Sequence, residues 1–211
     1  MAILDEISAY LQQGRMPKVK ELVQQALDAG ENPRDILEKG LLSGMNVVGE
    51  KFKKNEVFVP EVLVAARAMN GGLAVLKPHL MEGMSANRGM AVLGTVKGDL
   101  HDIGKNLVKI MLEGKGLTVI DLGVDVPAER FIQTAVEQNA DLICCSALLT
   151  TTMNEMQNVV EAAAREGIRD KVRIMVGGAP VTQAFCESIG ADCYTPDAAS
   201  CADAAAAYCA G

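Results

Sequence analysis

The sequence predicts two segments of different class. An all-α four-helix bundle is expected over residues 1–83, a linker at 84–89, and an α/β domain with a five-stranded parallel sheet over 90–211. Three observations carry this. Up to Leu76 apolar residues recur at helical spacing, without strand-like alternation. The stretch MSANRG at 84–89 has the Gly, Ser and Asn content of a boundary. From Met90 onward, short apolar runs alternate with amphipathic segments, the pattern of a βα repeat.

Ile3, Leu4, Ile7 and Leu11 form the stripe of a first helix, which Gly14 ends. Pro17 suits the first turn of a second, whose apolar face carries Val19, Leu22, Val23, Ala26 and Leu27 before Gly30. A third begins near Pro33, with Ile36, Leu37, Leu41, Met45 and Val48 at helical spacing. Gly40, Gly44 and Gly49 each lower its propensity by about 1 kcal/mol against Ala. They mark either close helix packing or a break after Gly40. A fourth starts at Pro60, where Val59, Val62, Leu63, Ala66, Met69, Leu73 and Leu76 share an apolar face. Four such helices with short connections make a small bundle. His79, after Lys77-Pro78, reads as an exposed residue at a helix end.

In the second segment strands are expected at about 90–95, 117–121, 141–145, 172–176 and 192–194. Helices are expected at about 102–113, 128–138, 152–166, 181–189 and 198–209. Gly114, Gly116, Gly167 and Gly190 fall where helices should stop. Right-handed crossovers leave strand orders 2-1-3-4-5 and 3-2-1-4-5. The notable residues follow strand 1 (Asp99 and His101), strand 3 (Ser146) and strand 4 (Gly177 and Gly178). Order 2-1-3-4-5 makes these three loops neighbours above the crevice between strands 1 and 3, and is the order expected.

Composition excludes several function classes. With 49% hydrophobic and 3% aromatic residues, no Trp and 11 Met, the core must be aliphatic. A net charge of −7 argues against a nucleic-acid partner. The one dense basic run, Lys51-Phe52-Lys53-Lys54, is flanked by Glu50 and Glu56 and reads as a solvated helix end. The start MAILDEISAY lacks a signal-peptide pattern, and no apolar run approaches the roughly 20 residues of a membrane span. A cytoplasmic protein with no membrane partner is expected. None of the six cysteines forms Cys-x-x-Cys, so they read as small buried hydrophobes.

The chemistry centres on GTVKGDLHDIG, Gly94 to Gly104, with Asp99-x-His101-x-x-Gly104 at its middle. A carboxylate two residues before a histidine can hold one imidazole nitrogen and leave the other free for a metal. Glycines on both sides allow a tight turn and close approach of a large ligand. Neither Gly-x-x-x-x-Gly-Lys-Ser/Thr nor Gly-x-Gly-x-x-Gly occurs here, which argues against phosphate-loop and dinucleotide sites. Zinc is poorly served, because no second His or Cys lies near His101 in sequence.

Asp99-x-His101-x-x-Gly104, then Ser146-Ala147-Leu148, then Gly177-Gly178 resemble, in order and spacing, the motifs of cobalamin-binding domains of the methionine-synthase and corrinoid-methyltransferase type. Glu50-Lys51-Phe52 and Asn55-Glu56-Val57-Phe58-Val59-Pro60, followed by Ala65-Ala66-x-Ala68-Met69, are similar to the helical domain of corrinoid methyltransferase proteins. The resemblance therefore covers nearly the whole chain, and points to the small corrinoid proteins that serve methylamine, methanol, betaine or aryl methyl ether demethylation.

That resemblance implies a flavodoxin-like (Rossmann-like) domain holding cobalamin base-off and His-on, with His101 as the metal ligand. It implies that Asp99 tunes His101 while Ser146 completes a proton relay. Gly104, Gly177 and Gly178 would make room for the nucleotide tail, Leu107 and Leu148 would supply apolar contacts, and Thr150 and Tyr194 would line the site. In the family the helical domain caps the upper face of the corrin. The implied function is a methyl carrier, becoming methylcobalamin in turnover and non-catalytic by itself. Its implied partners are a substrate-specific methyltransferase, a second, zinc-dependent methyltransferase acting on coenzyme M or tetrahydrofolate, and a reductive activase. The methyl donor stays open. Mutase-type cobalamin domains lack the leading bundle. A cobalamin-dependent regulator or sensor is the alternative, although residues 1–83 are too neutral and too fully used by the bundle for a DNA-binding output.

Overall fold

Glycine and proline punctuation sets the N-terminal helices. In the structure, a computed structural model describing residues 3–79 and 88–210, α1 (Ile3–Gln12) ends before Gly14 at φ 68°. Helix α2 (Met16–Asp28) follows with Pro17 in its first turn and buries Val19, Leu22, Val23 and Ala26. The Asn32 side chain caps α3 (Pro33–Asp35) by accepting from Arg34 N at 2.9 Å. The chain then continues without a break through a π-helix (Ile36–Leu42) into α4 (Ser43–Lys53). Gly40 and Gly44 therefore serve packing. A Cβ at Gly40 would lie 3.1 Å from Ile7 Cγ2, and one at Gly44 would lie 3.1 Å from the Ser8 backbone.

Helix α5 (Val59–Leu76) turns Val62, Ala65, Ala66, Ala68, Met69, Gly72 and Leu76 inward. Gly72 is needed there, because a Cβ would come within 2.9 Å of Leu41 and Val19. By length and composition α5 is apolar enough to cross a membrane, the one such helix among the described residues. Its buried face packs against α2 in the bundle, so its apolarity has a structural use. A 3-10 turn (Lys77–His79) follows, and His79 is exposed. The expected linker lies outside the described residues at 84–87, as do residues 80–83 of the expected bundle.

Residues 88–113 and those from Leu117 onward form a second compact unit. Its strands are β1 (Met90–Thr95), β2 (Thr118–Asp121), β3 (Leu142–Ser146), β4 (Arg173–Gly177) and β5 (Cys193–Tyr194). They are all parallel, in the order β2-β1-β3-β4-β5. The intervening helices are α6 (Ile103–Gly114), α7 (Ala128–Gln138), α8 (Asn154–Arg165), α9 (Gln183–Ser188) and α10 (Ala198–Ala210). Alternation along the strands sorts the two faces. Val92, Ile143, Cys145, Ile174 and Val176 join Phe131, Ile132, Met156 and Val160 of α7 and α8 in one core. Residues one step away face the other side, where the Cys144 thiol meets Cys201 of α10. All six cysteines are free, and Cys144, Cys145, Cys186 and Cys201 are buried.

Candidate functional site

In this order β1 and β3 are neighbours whose following connections leave in opposite directions, so their loops open a crevice at the carboxyl edge of the sheet. The β1 loop is stitched down before it reaches His101. Val96 N donates to Ser146 O (3.0 Å) and Asp99 N to Val96 O (3.1 Å). The Thr95 hydroxyl, fully buried, donates to His101 O at 2.8 Å.

Asp99 is fully buried and anchors two loops at once. Its Oδ1 accepts from His101 N at 3.1 Å and meets His101 Nδ1 at 2.7 Å. Its Oδ2 accepts from Leu148 N (2.7 Å), Leu149 N (3.1 Å) and the Thr152 hydroxyl (2.9 Å). Burial works to raise the Asp99 carboxyl's pKa. The donors from Leu148, the His101 ring, the His101 backbone and Leu149 outweigh it and hold the group well below the usual carboxylate range. The residue is a carboxylate at any physiological pH.

The His101 side chain is 50% exposed. With Nδ1 held by Asp99 as the donor, Nε2 carries the free lone pair. The loops that hold Asp99 and His101 also carry four exposed apolar residues: Leu100 and Ile103 from the β1 loop and start of α6, and Leu148 and Leu149 from the β3 loop. Exposed aliphatic side chains on the loops that offer one available nitrogen suit a large, partly apolar ligand that carries a metal. Among the described residues there is no cluster of three or more His, Cys, Asp or Glu able to hold a bare metal ion.

The other expected residues divide. A Cβ on Gly104 would meet nothing within 4 Å, and one on Gly177 only Thr195 O at 3.8 Å, so both border open space. Gly178 is required by the fold itself: at φ +134° a Cβ would lie 1.8 Å from Ala147 O. Leu107 is half-buried in α6, and Thr150 is exposed on the β3 loop. Ser146 and Tyr194 are placed as follows. The hydroxyl on Asp99 belongs to Thr152, whereas Ser146 reaches the β1 loop through its carbonyl. Tyr194 pairs with Val176 and packs against the α7–α8 core, on the face opposite Ser146 and Gly177. Thr152 was hidden in the run Thr150-Thr151-Thr152, and only the turn from Leu149 O to Thr152 N selects the third hydroxyl.

A profile described as the B12 binding domain matches residues 89–204, and a second B12 binding domain profile matches residues 3–77. The chain is 47% identical over 197 residues to a dimethylamine corrinoid protein of Methanosarcina barkeri, covering 93% of this chain and 92% of the relative. Its structure resembles a crystal structure of the methanol:cobalamin methyltransferase complex of the same organism, with TM-score 0.86 and 32% identity over 99% of this chain and 80% of that one. It also resembles a cobalamin-binding protein of Desulfitobacterium hafniense, with TM-score 0.81 and 30% identity over 97% and 98% of the two chains.

Proposed function

Because this chain belongs to the B12-binding corrinoid proteins of methyltransferase systems, we propose that it carries a methyl group on cobalt between two methyltransferases. A substrate-specific methyltransferase loads the group, with a methylamine as the favoured donor given the dimethylamine relative. A second, zinc-dependent enzyme passes it to coenzyme M or tetrahydrofolate, and a reductive activase restores lost carrier. All act in the cytoplasm. When bound, the corrinoid supplies a cobalt centre that can accept and release a methyl group.

The chain's own residues hold that centre and set its ligand. His101 Nε2 would hold the cobalt in place of the corrinoid's own base, the base-off, His-on mode. Asp99 keeps the proton on Nδ1 and so keeps the lone pair on Nε2. Thr152, Leu148 and Leu149 hold the far carboxylate oxygen, so a shift of the Nδ1 proton toward Asp99 meets a prearranged set of donors. Leu100, Ile103, Leu148 and Leu149, exposed on the same loops, would offer apolar surface to the corrinoid and help to exclude water. Gly104 and Gly177 leave space for the nucleotide tail, with Leu107, Thr150 and Gly178 nearby in the same loops and helix.

The observation that carries this reading is a half-exposed imidazole whose Nδ1 lies 2.7 Å from a fully buried carboxylate. The test is turnover. Protein loaded with reduced cobalamin and mixed with a methylamine methyltransferase and its methylamine should take up the methyl group within minutes. A second methyltransferase with coenzyme M or tetrahydrofolate should then remove it. Failure of every such methyltransferase to methylate the bound cobalt, with cobalamin instead altering one stable complex, would favour a regulator.

A further inference from the structure

The loop after β2 carries no motif, yet it grips both ends of the loop that holds His101. At one end Gly98 N donates to Asp125 Oδ1 at 2.7 Å, and Asp125 N donates to Asp99 O at 3.0 Å. At the other end the Lys105 ammonium, on a residue only 3% exposed, reaches Asp121 Oδ1 at 2.6 Å and Oδ2 at 2.7 Å. We infer that Asp125 and the Lys105–Asp121 pair are positioning residues for His101, acting through the backbone on either side of it. The inference rests on the reading of His101 as the axial ligand.

Three physical points support it. Asp125 sits at φ 54°, in the left-handed region that non-glycine residues occupy only when their surroundings demand it. The demand here is the pair of bonds to Gly98 and Asp99. A buried ion pair is a poor source of stability, because desolvating both charges offsets their attraction. Lys105–Asp121 is better explained by register, since it fixes the first turn of α6 against the end of β2. Finally, the His101 ring is half exposed and its side-chain partner is Asp99. Its placement therefore depends on how firmly the backbone from Gly98 to Lys105 is held, and the 121–125 loop holds both ends.

The experiment uses the full chain, as apoprotein and loaded with Co(II) cobalamin. Asp125→Gly keeps the left-handed conformation and removes the carboxylate; Asp125→Asn restores an acceptor. Lys105→Met combined with Asp121→Leu removes the other grip without leaving a buried charge unpaired. In the apoprotein, Asp125→Gly should speed hydrogen exchange at the Gly98 amide and move the His101 ring-nitrogen NMR shifts, and Asp125→Asn should largely reverse both. The double variant should move the same ring shifts. In loaded protein both disruptive variants should retain cobalamin but lower the ratio of histidine-bound to histidine-free cobalt by about 10-fold, the usual effect of losing an outer partner of a metal ligand. Wild-type ring shifts and wild-type histidine ligation in both would overturn the inference. If Asp125→Gly does not fold, the double variant decides. If wild-type cobalt carries no histidine, the axial-ligand reading fails, while the apoprotein shifts still decide the positioning claim.

Discussion

A single carboxylate oxygen of Asp99 holds His101 twice, at 2.7 Å to the ring Nδ1 and at 3.1 Å to the backbone amide. The same residue's other oxygen faces three donors from the β3 loop. Every lone pair of this buried group is therefore aimed at a donor, and its geometry admits no amide in place of the acid.

Asp99→Asn tests that. In either flip the new NH2 faces donors, against Leu148 and Leu149 or against His101. Urea unfolding of apoprotein should show a loss of about 1–3 kcal/mol for the unsatisfied polar groups. The depressed Asp99 pKa gives the sign of its pH dependence. Its stabilisation is fully present above the unfolded carboxyl value of about 3.9 and is lost as pH falls through the folded value. The gap between wild type and variant should therefore narrow below pH 4.

Thr152 and Ser146 make opposite predictions. Thr152→Val removes a hydroxyl bonded to a buried charge and should cost about 1.5–3 kcal/mol, with Thr152→Ser restoring most of it. Ser146→Ala should stay within about 0.5 kcal/mol. The reverse ranking in thermal or urea unfolding would favour Ser146 over Thr152 as the hydroxyl that supports Asp99.

The glycines separate fold from ligand. Gly178→Ala should destabilise apoprotein by about 1–3 kcal/mol, because Ala147 O blocks the new methyl group. Gly104→Ala adds a methyl group into open space on a helix and should leave apoprotein as stable or up to about 1 kcal/mol more so. Cobalamin affinity, measured by equilibrium dialysis, should nonetheless fall for Gly104→Ala.

Much of this architecture was legible in the sequence, for physical reasons. Helical and alternating periodicities report burial directly, so the helices, the five strands and their order were readable. Asp99 and His101 are close in sequence, and their pairing follows from that closeness. What escaped depends on three-dimensional phase. The π-helix at Ile36–Leu42 shifts the hydrogen bond by one residue while leaving apolar spacing nearly helical, so Gly40 could be read as a break. Thr152 becomes Asp99's partner through a turn that no composition signals. Asp121, Asp125 and Lys105 act across a loop without a motif.

Burial also predicts thiol chemistry. It pushes the Cys145 thiol up to about 12, while the hydrogen bond with Cys201, together with burial, holds the Cys144 thiol well above its ordinary value. Native protein treated with iodoacetamide at pH 8 should leave both unmodified, as read by peptide mass spectrometry, while urea-unfolded protein reacts at both. Rapid native labelling of Cys145 would contradict the packing described for β3.

The central claim is that His101 binds the metal of a bound corrinoid. The most direct measurement is the EPR spectrum of Co(II) cobalamin on protein labelled with 15N-histidine. The axial nitrogen splitting should change from the three lines of 14N to the two lines of 15N, and should lose its histidine origin in His101→Ala. Three-line splitting that persists on the labelled wild-type protein would mean that the corrinoid's own base holds the metal, and would contradict the account.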